Sequence, residues 1–191
     1  MSCNLNSSVT SITSRRRFLG AGLGLAVLPA LPAWGLTTPA SDVLRSELPD
    51  LRLLGQGRMR WFGLLLYDAA LWVSGPRWQW DRPFALDLRY ARNFEGAKLA
   101  EASIDEIKRI GLGGTPRLDA WREAMNRVFP DVRKGDHITG LHRPGAGAEY
   151  YFNGRSTGVV SDTEFARAFF SIWLDERTRE PKLRAALLGQ R

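Results

Sequence analysis

Two arginines and one tyrosine stand out chemically, because they lie in the most apolar part of the chain after its N-terminal segment. Arg58, Arg60 and Tyr67 fall between residues 53 and 73, a stretch otherwise rich in Leu, Trp, Gly and Ala. A buried guanidinium needs a partner, since desolvating a lone charge is costly. It can hold a carboxylate or a phenolate through two hydrogen bonds, and a nearby phenol can add another. The three residues therefore predict an anion clamp at the end of an apolar cavity, unless both arginines point to solvent from a strand face.

Other chemistries find little support in the sequence. The two histidines, His137 and His142, fall on opposite faces of one predicted strand, and neither has a Cys or an acidic residue at a zinc-binding spacing. We expect both to be ordinary surface histidines and expect no metal site. Gly55 and Gly57 resemble half of a dinucleotide-binding fingerprint but lack its third glycine and helix. No serine stands in a nucleophile elbow. We therefore expect no cofactor.

The N-terminal segment predicts export. Three arginines at residues 15–17 precede Phe-Leu and an apolar run over residues 21–31, and no acidic residue precedes Asp42. This order is typical of a secretory signal, and the paired arginines indicate the twin-arginine type. We predict a signal peptide over residues 1–35, one domain over residues 36–191, and a periplasmic location. The alternative is a retained membrane anchor, although the run is shorter than the roughly 20 residues that span a bilayer.

Composition narrows the classes of partner. The formal net charge of the chain is +7, and the basic residues are scattered among acidic ones. A nucleic-acid-binding surface would show a denser basic cluster, so we expect no nucleic-acid partner. The single cysteine, Cys3, lies in the predicted signal, so we expect no disulfide in the domain. We also expect no stable membrane span once the signal is removed, and the sequence does not fix the oligomeric state.

Strand patterns dominate the first part of the domain. Residues 53–73 predict two central strands joined by a tight bend near Gly63. Gly55 and Gly57 inside the first strand predict a bulge or the close approach of another backbone. The tryptophans Trp78 and Trp80 suggest a short edge ribbon.

Further strands and several helices follow from periodicity and turn signals. Alternating strands are predicted over residues 84–90, 137–142, 149–152 and 155–160, the last two joined by Asn153-Gly154. Four helices are predicted. Two cover residues 96–110 and 117–129, the third follows a capping box with Ser161 as its N-cap, and the last begins at Pro181 and is ended by Gly189. This order is not a regular βαβ alternation. It predicts an α+β fold with helices stacked on an antiparallel sheet.

The order of these elements resembles the chalcone isomerase-like family, and its exported bacterial branch in particular. The resemblance runs from residue 51 to residue 189. It rests on Gly-x-Gly with nearby arginines at 55–60, on Tyr-Asp-Ala-Ala-Leu-Trp at 67–72, and on segments 153–154, 162–166, 172–175 and 181–189. It implies an open-faced sandwich in which a large antiparallel sheet is covered by a layer of helices, with a ligand cleft between the two layers.

The resemblance also implies two kinds of activity. The plant enzymes of the family close a flavanone ring without a cofactor, using an arginine on the first core strand and a threonine that falls here at Tyr67. Fatty-acid-binding members keep the arginine, have a tyrosine near the threonine position, and grip a carboxylate. The family arginine falls here at Met59, between Arg58 and Arg60, so a bulge would be needed to re-aim Arg60.

Three functions follow as hypotheses. The first is non-catalytic binding of a small amphipathic anion such as a fatty acid, with Arg60, or else Arg58, and Tyr67 at the acidic head. The second is a cofactor-free intramolecular lyase or isomerase acting on an anionic substrate. The third is a scaffold or partner-binding domain with no ligand.

Overall fold

The computed structural model describes residues 50–190. This part of the chain forms six strands and four helices. The strands are β1 Leu51–Trp61, β2 Leu64–Ser74, β3 Phe84–Tyr90, β4 His137–Arg143, β5 Gly147–Phe152 and β6 Arg155–Val160. The helices are α1 Gly96–Ile110, α2 Thr115–Val128, α3 Thr163–Leu174 and α4 Pro181–Leu187.

The strands form one sheet in sequence order from β1 to β6, and every neighbouring pair is antiparallel. Helices α1 and α2 are inserted between β3 and β4, and α3 and α4 follow β6. This is an α+β open-faced sandwich, so the predicted fold class is confirmed. Each strand pairs with the next strand in the sequence. The connections are short except between β3 and β4, where the two helices α1 and α2 are inserted.

One face of the sheet carries the helices, and we call it the inner face. Along β3 it presents Phe84, Leu86, Leu88 and Tyr90, all buried, while Arg89 on the opposite, outer face is exposed. This is the period-two pattern of a strand. The helix layer covers the inner face mainly with α3, where eight of twelve residues are buried. Rings from α3, β3 and β5 pack edge to face there, which fixes α3 on the sheet.

A bulge near the start of β1 decides which side chains of that strand face the helices. Leu53 pairs with Trp72, but Gly55 pairs with Leu71, so Leu54 is an extra residue. One extra residue reverses the faces that follow. Gly55 and Gly57 therefore face α4, and a Cβ at Gly55 would overlap the backbone carbonyl oxygens of that helix. The predicted bulge and the predicted close approach both occur at these glycines.

Three local predictions were wrong. β1 is not central, because it lies at one end of the six described strands. Trp78 and Trp80 form no edge ribbon; they lie in the irregular connection between β2 and β3 and contact each other edge to face. The N-cap of α3 is Asp162 rather than Ser161, and its carboxylate accepts from the backbone N–H groups of Glu164 and Phe165.

The predicted signal peptide, with Cys3 and the arginines at 15–17, lies outside the described residues. Within residues 50–190, no helix is long and apolar enough to cross a membrane.

The contact between β1 and α4 gives a stability prediction. Gly55→Ala should lower the free energy of unfolding by about 2–3 kcal/mol, because backbone carbonyl groups of α4 would have to move. Gly57→Ala is the matched control, since its Cβ would meet the movable Cδ1 of Leu183 at 2.6 Å. Urea denaturation should show the smaller loss for Gly57→Ala, and equal losses would mean that α4 is not held against Gly55.

Candidate ligand cavity

A cavity of about 390 Å³ lies between the inner face of the sheet and the helix layer. Apolar and aromatic side chains form most of its wall. They come from the first four strands of the sheet, from α1 and α3, and from the connections around them. These side chains are Met59, Trp61, Leu66, Leu88, Phe94, Leu99, Phe129, Ile138, Phe169 and Ile172. Its volume lies within the usual range of small-molecule sites, about 300–1,000 Å³.

One hydrogen bond crosses the cavity wall from the helices to the sheet. The indole Nε1–H of Trp173 on α3 donates to the hydroxyl oxygen of Tyr67 on β2, at 3.0 Å. Since that oxygen accepts from Trp173, the hydroxyl hydrogen of Tyr67 is free to donate elsewhere. No acceptor for it is found among residues 50–190. Tyr67 can therefore donate a hydrogen bond to a ligand oxygen inside the cavity.

A second phenol lies beside the first. The rings of Tyr67 and Tyr90 meet edge to face, with centroids 6.1 Å apart, and both residues line the cavity. Burial raises the pKa of Tyr67 well above its usual value, although the Trp173 hydrogen bond opposes the shift. Burial also raises the pKa of Tyr90, and the neighbouring Tyr67 adds to the shift. Both phenols are therefore neutral donors at physiological pH.

The charged side chains of the cavity lie at its rim. Lys98, Asp105 and Glu106 come from α1, and Arg179 and Glu180 come from the segment between α3 and α4. Arg179 contacts both sides of the rim. Its Nη2 lies 2.9 Å from a carboxylate oxygen of Glu106, and its guanidinium lies 5.9 Å from the ring of Trp61 on β1. The rim thus has two cations that an acidic ligand could meet, one of them already paired.

The structure separates Tyr67 from the two arginines that the sequence grouped with it. Arg58 is on the outer face, 55% exposed, and its Nε donates to a carboxylate oxygen of Asp68 at 3.1 Å. Arg60 is exposed and donates to the carbonyl oxygen of Gly63 at 3.0 Å. Met59 lies between them and lines the cavity. Neither arginine reaches the cavity, because alternate residues of a strand face opposite ways.

The expected bulge does not re-aim Arg60. The bulge at Leu54 comes before the glycines, and it is this bulge that turns Met59 toward the helices. A second register shift follows Met59, but its extra residue is Leu66 on β2, since Met59 pairs with Tyr67 and Arg60 pairs with Leu65. The alternation along β1 therefore continues, and Arg60 stays on the outer face.

A second depression of about 610 Å³ lies at the other end of the helix layer. Several of its charged and aromatic side chains contact one another. Arg167 covers the ring of Trp80 at 4.1 Å, and Arg117 forms an ion pair with Glu164. We regard this depression as an open surface groove and the smaller, more apolar cavity as the candidate site.

Both histidines are buried, each 6% exposed, so the prediction of surface histidines was wrong. His137 on the outer face lies with its Nδ1 2.9 Å from Asp87, whose other oxygen accepts from Thr139. His142 on the inner face lies with its Nε2 3.0 Å from the carbonyl oxygen of Trp80, so Nε2 carries the proton and donates. Burial lowers the pKa of His142 and favours its neutral form. These contacts join neighbouring segments of the sheet.

Within residues 50–190, no group of three or more His, Cys, Asp or Glu side chains is arranged to hold a metal ion.

The fold agrees with what the chain is similar to. A family model described as chalcone isomerase-like matches residues 37–189, so the chain belongs to that family. An uncharacterized protein of Haemophilus influenzae is 28% identical over 140 residues, which cover 72% of this chain and 67% of that protein. The crystal structure of a fatty-acid binding protein of Arabidopsis thaliana is similar with a TM-score of 0.58 and 15% identity, covering 73% of this chain and 87% of the other. At that identity the likeness shows the fold alone.

Several residues of the site were not singled out in the sequence. No signal in the sequence indicates that the N–H of Trp173 reaches Tyr67, 106 positions away. No pattern in the sequence distinguishes Lys98 and Arg179 from the other scattered basic residues. The i, i+4 spacing of Leu99 and Ser103 on α1 could have indicated a helix face turned to the cavity.

Two tyrosines, one whose hydroxyl is hydrogen-bonded and one whose hydroxyl is not, give the next prediction. Tyr67→Phe should lower the free energy of unfolding by about 1 kcal/mol, because Trp173 loses its acceptor. Tyr150→Phe should cost almost nothing, since the Tyr150 hydroxyl is buried with no hydrogen-bond partner. Urea denaturation of both variants tests this. A larger loss for Tyr150→Phe would contradict the assigned hydrogen bonds.

Proposed function

We propose that this protein binds one small amphipathic ligand, such as a fatty acid, in the cavity between sheet and helices. The observation that carries the proposal is the cavity itself. Its wall is largely apolar, and it holds a phenol whose hydrogen has no acceptor among the described residues. Such a site suits a ligand with an apolar body and an oxygen at one end.

The geometry supports a particular arrangement of that ligand. The apolar part would lie against Met59, Leu88 and Phe169, with one oxygen accepting from Tyr67. An acidic head at the rim would meet Lys98, or would compete with Glu106 for Arg179. Arg58 and Arg60 have no part in this arrangement, because they lie on the other face of the sheet. The relative from Arabidopsis thaliana is called a fatty-acid binding protein, which supports this choice of ligand class.

The lyase or isomerase hypothesis stays an alternative. Tyr67 and Tyr90 could together donate to a carbonyl oxygen and stabilise charge that develops on it. However, the cations that line the cavity among the described residues, Lys98 and Arg179, are both exposed at the rim. The scaffold hypothesis expects a filled interlayer space, whereas the structure leaves about 390 Å³ open.

Blocking the cavity is the direct test of binding. Ala102 is an exposed residue of α1 that lines the cavity, so Ala102→Trp should place a large ring across the cavity mouth and abolish retention of a fatty acid. Ala97→Trp is the matched control, because Ala97 is an exposed alanine of the same helix that does not line the cavity. Native mass spectrometry should show the fatty acid on the parent protein and on Ala97→Trp, and should not show it on Ala102→Trp.

The choice of ligand can be tested in the same experiment. A fatty alcohol of equal chain length keeps the apolar body and the oxygen but lacks the charge. Tighter binding of the acid would support a head group at Lys98 and Arg179, and equal binding would assign recognition to Tyr67 alone. The binding proposal fails if neither ligand binds, if neither raises the melting temperature, or if both alanine variants bind equally well.

We also propose that the protein is exported to the periplasm by the twin-arginine route. The arginines and the apolar run near the N-terminus support this. Arg15→Lys combined with Arg16→Lys should retain the protein in the cytoplasm, while Arg17→Lys should leave export unchanged, because one residue separates the paired arginines of such a signal from Phe-Leu. Cell fractionation measures both outcomes, and export of the double variant would contradict the proposal.

A further inference from the structure

The turn between β1 and β2 exposes three large apolar side chains next to the cavity. Trp61 is 45% exposed, Phe62 is 90% exposed and Leu64 is 51% exposed. Trp61 and Leu64 are the last paired residues, so Phe62 and Gly63 form a two-residue loop. We call residues 61–64 the hairpin tip. Trp61 also lines the cavity, so the tip and the cavity mouth are continuous.

The backbone at Phe62 makes its exposure more informative. Phe62 has φ = 45° and Gly63 has φ = 80°, both in the left-handed region. A tight hairpin of this kind favours Asn-Gly, and the β5–β6 hairpin has that pair, Asn153-Gly154, at φ values of 48° and 81°. A bulky residue in this region is strained. The chain therefore holds an aromatic ring in solvent at a position where its own second hairpin uses asparagine.

Cations surround the tip. Arg60 donates to the Gly63 carbonyl, and it has no carboxylate partner among the described residues. Arg58 lies one step further along the outer face, paired with Asp68, and Arg179 stands over the ring of Trp61. Aromatic rings next to basic side chains are typical of segments that enter the interfacial region of a bilayer, where anionic lipids attract the cations.

We propose that the hairpin tip docks this protein on a membrane surface that contains anionic lipid, with Phe62 and Trp61 inserted and Arg60 at the headgroups. The tip is too small for a stable protein interface, which buries about 800 Å² on each partner, whereas a lipid surface needs no matching shape. The proposal stands on the tip alone, and it explains an arginine that the cavity does not use. Docking there would hold the cavity mouth, through Trp61, at the lipid surface.

Phe62→Asn is the decisive variant, because asparagine already occupies the equivalent turn position in the β5–β6 hairpin. Its melting temperature should equal or exceed that of the parent chain, so a loss of binding will not reflect unfolding. Val159→Thr is the matched control, since Val159 is 57% exposed on β6, the strand at the other end of the sheet.

The full chain should co-sediment with vesicles of phosphatidylcholine and phosphatidylglycerol. Binding should fall about tenfold in Phe62→Asn, the loss expected from one buried phenylalanine ring, and should not change in Val159→Thr. Arg60→Gln should weaken binding only when phosphatidylglycerol is present. Hydrogen exchange of the tip amides should slow on the vesicles, which reports docking at this site rather than elsewhere in the chain.

Equal binding by all three variants, or unchanged exchange at the tip, would overturn the proposal. So would a dimer that Phe62→Asn converts to a monomer in sedimentation velocity, because a second copy would then be the occupant. Fatty-acid retention in solution should be unchanged in Phe62→Asn, since Phe62 does not line the cavity. The docking proposal and the binding proposal can therefore fail separately.

Discussion

The extra residue at Leu54 is the constraint on which the rest of this structure depends. Because side chains alternate along a strand, one inserted residue decides the face of everything that follows it in β1. It turns Gly55 and Gly57 toward α4, whose backbone then lies against them. It also turns Met59 into the cavity and Arg60 away from it. The approach of the last helix to β1, the placement of Met59 in the cavity and the outer-face positions of Arg58 and Arg60 are thus consequences of one local irregularity.

The cavity persists because the two ends of the helix layer pack differently. At one end, rings of α3 pack edge to face against rings of β3 and β5. At the other end, α1 lines the cavity with smaller side chains, among them the exposed Ala102 and the half-buried Ser103. Side chains that line an unfilled space lose dispersion contacts on the side that faces it. The hydrogen bond from Trp173 to Tyr67 satisfies the indole N–H and one acceptor position of the phenol oxygen, and it leaves only the phenol hydrogen without a partner in this wall.

The fold could be predicted further than the site could. Alternation in residues 84–90, helical spacing in residues 96–110 and the Asn153-Gly154 turn are local signals, and each produced the expected element. The edge position of β1 is not local, because it depends on which strands pair. The face of Arg60 depends on one bulged residue whose position the glycines indicate only approximately. Trp173 and Tyr67 meet only through the packing of α3 on the sheet, which no spacing in the sequence encodes.

Met59 is the β1 residue that faces the cavity between Arg58 and Arg60, so no arginine of this strand supplies charge inside the cavity. A buried arginine would supply charge deep in the site, whereas neutral phenols supply only hydrogen-bond donors. An acid would then keep its charge at the rim, beside Lys98 and Arg179, where desolvation is smallest. That orientation points the charged end toward solvent and the apolar end inward. A ligand held this way could leave through the same opening it entered, with its charge never crossing the apolar interior. This arrangement is why we propose that the site holds and releases a ligand rather than stabilises charge during a reaction.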